Sequence, residues 1–195
     1  MAGPPCSDLV SASMFDAAST LDLVLGFDAG DDGLAAKSRE LIVHLLRNTE
    51  HPFSRDQFSP GHITGTALVL SPDRDRVLLM MHHRHRRWLL PGGHVELTDA
   101  SLAHAAKREA IEETGVVLIG SAESELVGMD VHGIPPKKGE PYHLHYDLVF
   151  SMSAEDMRVQ CTEEAPEVAW CAPADFARHE VPLNIVRSFQ RAIKA

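Results

Sequence analysis

From Gly92 to Val116 the chain reads GGHVELTDASLAHAAKREAIEETGV, and this segment leaves the fold little choice. The glycine pair marks a tight loop. The run from about Asp99 or Ser101 to Thr114 reads as a helix, and Gly115 suits the left-handed position that ends one. Residues three and four apart share a helical face, so Glu109, Glu112 and Glu113 project their carboxylates together. Like charges at that spacing repel by a few tenths of a kcal/mol per pair. A segment that only had to be a soluble helix would do better with a lysine at one of these positions. The pattern therefore calls for a positive partner.

The flanks indicate a layered α/β or α+β domain. Before the glycine loop, residues 62–70 and 76–82 read as strands around a turn at Ser71-Pro72-Asp73-Arg74-Asp75. After the helix, further strands are expected at about 125–131, 142–152 and 167–171. A short helix near 173–178 starts on a proline, and a longer one follows at 183–194. Upstream, Leu34, Ser38, Leu41, Ile42, Leu45 and Leu46 predict one face of a helix ending near Asn48. His51-Pro52 and Ser59-Pro60-Gly61 then mark a boundary, which divides the chain into a helical N-terminal extension, 1–60, and a main domain, 61–195.

At 195 residues and 44% hydrophobic, the chain has enough material for one domain with a proper core. A formal charge of -10 argues against bulk electrostatic binding to nucleic acid or anionic membrane. Cys6, Cys161 and Cys171 form no CxxC pair, so neither a zinc ribbon nor a disulfide framework is suggested. There is no apolar run of about 20 residues, and MAGPPCSDLV lacks the pattern of a signal peptide. The expectation is a soluble, cytoplasmic protein.

Hard divalent cations such as Mg²⁺ take oxygen ligands, usually carboxylates with water and substrate phosphate. Such ions polarise phosphorus and activate water. The glycine loop followed by Arg108-Glu109-Ala110-Ile111-Glu112-Glu113-Thr114-Gly115-Val116 resembles the Nudix box, G-x5-E-x7-R-E-U-x-E-E-x-G-U, where U is a bulky aliphatic residue. Two departures stand out. Asp99 replaces the usual Glu, and eight residues, not seven, separate it from Arg108. The loop is thus read as carrying one inserted residue, with Asp99 as a helix N-cap rather than a metal ligand.

The resemblance implies a Nudix-type α/β/α sandwich with a mixed β-sheet and the helical N-terminal extension. It implies a pyrophosphohydrolase that cleaves the diphosphate of a nucleoside diphosphate linked to another moiety, with Mg²⁺ or Mn²⁺ as cofactor. Glu109, Glu112, Glu113 and the Gly92 carbonyl would hold metal. Glu164, with Glu163 as the alternative, would join them from the loop before Glu167-Val168-Ala169-Trp170. One of the glutamates, Glu109 by preference, would double as general base, Glu112 would be catalytic beside it, and Arg108 would orient a carboxylate.

Other clusters are open to more than one reading. His143, His145 and Asp147 alternate on a strand and share a face. They line the substrate pocket, hold a borderline metal such as zinc or manganese, or form an ordinary hydrogen-bonded strand face. Arg84 and Arg87 belong to a basic loop that either anchors substrate phosphate or is a solvated hairpin tip. His94 contacts phosphate, carries a proton or makes a structural bond. Trp88 and Tyr142 stack on a base or pack in the core, and Arg55 reaches toward the site. The extension either packs on the core and covers one end of the pocket or mediates a homodimer. Two rival functions are a nucleotide-sensing module without turnover and a diphosphate isomerase of the same fold. The expected partner is a small diphosphate, a nucleotide derivative, rather than a membrane or a nucleic acid.

Overall fold

Ten consecutive buried residues make β1 (Gly61–Leu70) the centre of the sheet, because only a strand covered on both faces buries every side chain. The computed structural model describes residues 16–82, 86–120, 124–137 and 139–194. Among these, β1 runs parallel to β6 (His143–Ser153), in register from Gly61 opposite Leu144 to Leu70 opposite Ser153. β5 (Leu126–Ile134) lies antiparallel to β6 at one edge. The other side of β1 is shared. Its beginning pairs with β4 (Gly92–His94) and its end meets β2 (Val77–His82). β3 (Arg87–Leu89) and β7 (Val168–Cys171) flank β2. The result is a curled, seven-stranded mixed sheet.

Alternation along β1 assigns its two faces. Ile63, Ala67 and Val69 pack with Leu102, Ala106 and Ala110 of α3 (Leu102–Thr114). The same cluster takes Val24 from α1 (Ala17–Gly26) and Ala35, Ile42, Leu45 and Leu46 from α2 (Gly33–Asn48). Leu68 and Leu70 face the other way, with Val127, Val149, Ile185 and Phe189, the last two on α4 (Leu183–Ala192). Helices therefore cover both sheet faces, as the sandwich requires, and the N-terminal helices share one layer with α3.

The elements depart from expectation in four places. The buried face of α2 is Ala35, Ser38, Ile42, Leu45 and Leu46, while Leu34 and Leu41 are 56% and 43% exposed on its flank. The expected short helix at 173–178 is a single 3₁₀ turn, Pro173–Asp175. The glycine pair expected to mark a tight loop instead begins a three-residue strand, β4. Finally, the N-cap of α3 is not Asp99. Ser101 takes that place, its Oγ accepting the His104 N–H at 3.1 Å, and Asp99 is left free for another task. Gly115 closes α3 at φ 62°, a left-handed conformation that glycine adopts without a side-chain penalty.

Candidate active site

Arg108 is the hub. Its Nε and Nη2 donate to the two oxygens of Asp99 at 3.2 and 3.0 Å, a bidentate pair. Nη2 also donates to the His94 carbonyl at 2.9 Å, and Nη1 to Glu109 at 2.8 Å and Glu112 at 3.2 Å. One guanidinium thus ties the glycine loop to the acidic face of α3. The residue that replaces the usual Glu is its anchor. The Asp99 side chain is fully buried, and burial alone would raise its pKa, but the Arg108, Glu96 N–H and His104 bonds hold it below the usual range. The bonds to Asp99 and Glu109 hold Arg108 firmly protonated against the opposing effect of burial.

The carboxylates face one another across a tight approach. Gly92 N–H donates to Glu113 Oε2 at 2.9 Å. A Cβ on Gly93 would lie 2.6 to 2.8 Å from the Glu109 carboxyl atoms, so glycine is what lets the loop close on α3. Burial, with repulsion from Glu109, Glu164 and Glu112, pushes Glu113 up to about 8 against the pull of the Gly92 N–H. Burial also raises Glu109, with Glu112 and Glu164 adding to it and Arg108 opposing. Glu164 is therefore close enough to act on both. Its loop is tied to the end of α3 by Thr162 Oγ1, which donates to the Glu113 carbonyl at 3.0 Å.

This donor set suits a hard divalent cation: four carboxylates crowd one region, with Arg108 bonded to only two of them. Their oxygens do not converge as closely as two other groups do. Among the described residues, the triads with ligand atoms within 4.8 Å of one another are His62, His94, His145 and Asp130, His132, Asp147. Arg108 and Gly92 draw Glu109, Glu112 and Glu113 to their own partners.

The histidine strand divides. His143, His145 and Asp147 share a sheet face, yet each has a different neighbour. His143 Nδ1 bonds to the Pro141 carbonyl at 2.9 Å. Asp147 accepts from Thr64 and lies 3.5 Å from His132, which also bonds Asp130 at 3.1 Å. Burial opposes the charged imidazolium, but the two aspartates lift His132 to about 9. His145 instead packs among His62, His94 and His143, with ring centroids 4.9 to 5.3 Å apart. Burial and these neighbours lower His145 and bring His94 down to about 4.

A cavity beside this cluster is lined by Arg55, Asp56, Phe58, His94, Glu140 and His143. Arg55 therefore does reach this region. Arg87 is exposed at the start of β3, and Arg84 lies outside the described residues. Trp88 contacts His179 edge-on, and Tyr142 is 60% exposed. Sequence reasoning missed His62 and Asp130. Their roles depend on strand pairing, which no local signal discloses.

The family model for the NUDIX domain matches residues 61–191. A probable DHNTP pyrophosphohydrolase of Lactococcus lactis subsp. cremoris (strain MG1363) is 30% identical over 138 residues, spanning 65% of this chain and 80% of that protein. The m7GpppN-mRNA hydrolase NUDT17 of Danio rerio is 27% identical over 170 residues, 78% of this chain but 55% of that protein's length. The MutT protein of Methanosarcina mazei Go1 superposes with a TM-score of 0.49 at 23% identity, covering 68% of this chain and 92% of that one.

Proposed function

Because this chain belongs to the NUDIX family and is a hydrolase of pyrophosphate linkages, we propose that it cleaves the diphosphate of a nucleoside-diphosphate derivative with Mg²⁺ or Mn²⁺. The observation that carries this reading is Arg108, which holds Asp99, Glu109, Glu112 and the His94 carbonyl around the glycine loop. Residues 1–60 are read as an extension and 61–195 as the catalytic domain.

Glu109, Glu112, Glu113 and Glu164 would hold the cation, with the Gly92 carbonyl beside them. When bound, the cation would neutralise the phosphate charge and make water more acidic. Glu109 would accept the proton of the attacking water, since it lies against Gly93 and is oriented by Arg108. The water oxygen joins phosphorus, the bridging P–O bond breaks, and the leaving phosphate carries away the electron pair. The residues lining the cavity, Arg55, His94 and His143, would position the rest of the substrate, and Arg84, Arg87, His145 and Asp147 complete the substrate-binding candidates. No helix among the described residues is long and apolar enough to cross a membrane. Free Cys161 and Cys171 suit a reducing cytoplasm.

The test is a substrate panel with Mg²⁺ or Mn²⁺, scored for phosphate, pyrophosphate and nucleoside monophosphate. The names of the relatives add a pterin triphosphate and a capped mRNA to nucleotide sugars, dinucleoside polyphosphates and oxidised dNTPs. Turnover of at least one compound, reduced by orders of magnitude in a folded Glu112→Gln variant, is expected. Tight binding without turnover on every compound would instead make the chain a nucleotide sensor.

A further inference from the structure

We propose that His62, His94 and His145 form a binding site for one borderline divalent cation of the zinc class, separate from the glutamate set. The three imidazoles come from β1, β4 and β6, and one ligand nitrogen of each lies within 4.8 Å of the other two. Strand pairing brings them together, with His62 opposite His145 in the parallel ladder and His94 opposite Thr64.

Two features distinguish this cluster from a packed group of histidines. First, Nε2 of His62 and Nε2 of His145 are the buried side-chain nitrogens left without a hydrogen-bond partner among the described residues. A buried polar atom without a partner costs about 1–3 kcal/mol, so this pair asks for a ligand. Second, the His62 tautomer is set from outside. Its Nδ1 faces the Gln57 carbonyl at 3.1 Å, which can only accept, so the proton sits on Nδ1 and the Nε2 lone pair points into the cluster. A carbonyl behind a ligating histidine is the usual arrangement at metal centres.

The neighbouring Asp130, His132 and Asp147 group makes the contrast. There His132 Nδ1 lies 3.1 Å from Asp130 and 3.5 Å from Asp147, so that ring already has carboxylate partners.

Three neutral nitrogens select zinc, cobalt, nickel or iron over magnesium, which wants oxygen. Zinc–nitrogen bonds of about 2.0–2.1 Å place tetrahedral ligands about 3.3 Å apart, so the rings need only turn inward. His94 also lines the cavity with Arg55 and His143, so the fourth position would open toward substrate, as in three-ligand catalytic zinc sites.

The experiment uses the full chain, stripped with chelator and loaded with Co²⁺ in a large excess of Mg²⁺, which occupies oxygen sites. One Co²⁺ per chain is expected to survive desalting, with the visible absorption of a tetrahedral nitrogen-ligated ion, and Zn²⁺ should displace it. His145→Ala should abolish both signals, and His94→Ala should weaken retention by at least about tenfold. Circular dichroism checks both variants for folding, and His94→Ala decides if His145→Ala does not fold. Glu112→Gln should retain the ion. Failure to keep Co²⁺ against Mg²⁺ would overturn the site and leave a bridging water between the imidazoles. Retention that survives the folded histidine variants, or disappears with Glu112→Gln, would overturn it equally.

Discussion

Gly93 and Asp99 show how single residues set the geometry of the acidic face. A methyl group at position 93 would meet the far end of the Glu109 side chain rather than backbone. Glu109 can swing away, so Gly93→Ala is expected to change the melting temperature little while displacing the carboxylate and lowering kcat at least about tenfold. A large stability loss with unchanged kcat would show that the contact is merely structural. Asp99 argues differently. Its carboxylate is buried against Arg108, and Asp99→Asn removes the charge without changing the shape. Breaking such a pair leaves Arg108 under-compensated and costs about 3–5 kcal/mol in the fully buried limit. Because the Arg108 side chain retains some exposure, about 2 kcal/mol is expected, measured by denaturant unfolding, together with lost activity. The inserted residue ahead of α3 helps to explain why aspartate suffices here, since a longer loop and a shorter acid still deliver a carboxylate to the guanidinium.

At the scale of elements, α3 carries a stored repulsion whose sign can be tested. Glu113 titrates near 8 in the fold against an ordinary 4.5. Between these values the folded form holds more protons than the unfolded chain, so stability falls as pH rises through that window. Metal-free protein should therefore melt at progressively lower temperature from about pH 5 to about pH 8, and Glu113→Gln should flatten the slope. Added Mg²⁺ should restore most of the loss near pH 8 by binding the folded form. An unchanged melting temperature across that range would show that Glu113 is not held protonated. α3 was legible in the sequence because its signals are local: a glycine loop before it, carboxylates at helical spacing within it, and Gly115 after it. The role of Asp99 was obscured because an N-cap and an arginine anchor look alike in sequence. The histidine cluster was less legible still. His143 and His145 declare their shared face by alternation, but His62 joins them only through the parallel pairing of β1 with β6, and strands as short as β3 and β4 show no period.

Across the whole molecule, the N-terminal helices are built into the sandwich, and Arg191 of α4 fastens them around the sheet edge. Its Nη2 donates to Asp32 at 2.7 Å and to the Ala29 carbonyl at 3.2 Å, and Nη1 donates to Val127 at 3.2 Å. The guanidinium also lies 5.3 Å from the centre of the Phe27 ring. Asp32 in turn caps α2 through Ala35 N–H. One side chain thus joins the C-terminal helix, the edge strand and the start of α2. Arg191→Met keeps much of the apolar stem but leaves Asp32 buried without its cation, which should cost about 1–3 kcal/mol. The cavity should be spared. Arg55 and Phe58 sit on the segment between α2 and β1, which is bonded to β1 itself through Ile63 N–H to Pro52 and His62 to Gln57. Arg191→Met is therefore expected to lower the unfolding midpoint while leaving KM within about twofold. A double-mutant cycle with Asp32→Asn should recover a coupling of at least about 0.5 kcal/mol if the ion pair is the fastening. A raised KM at unchanged stability would mean instead that the extension controls the cavity wall.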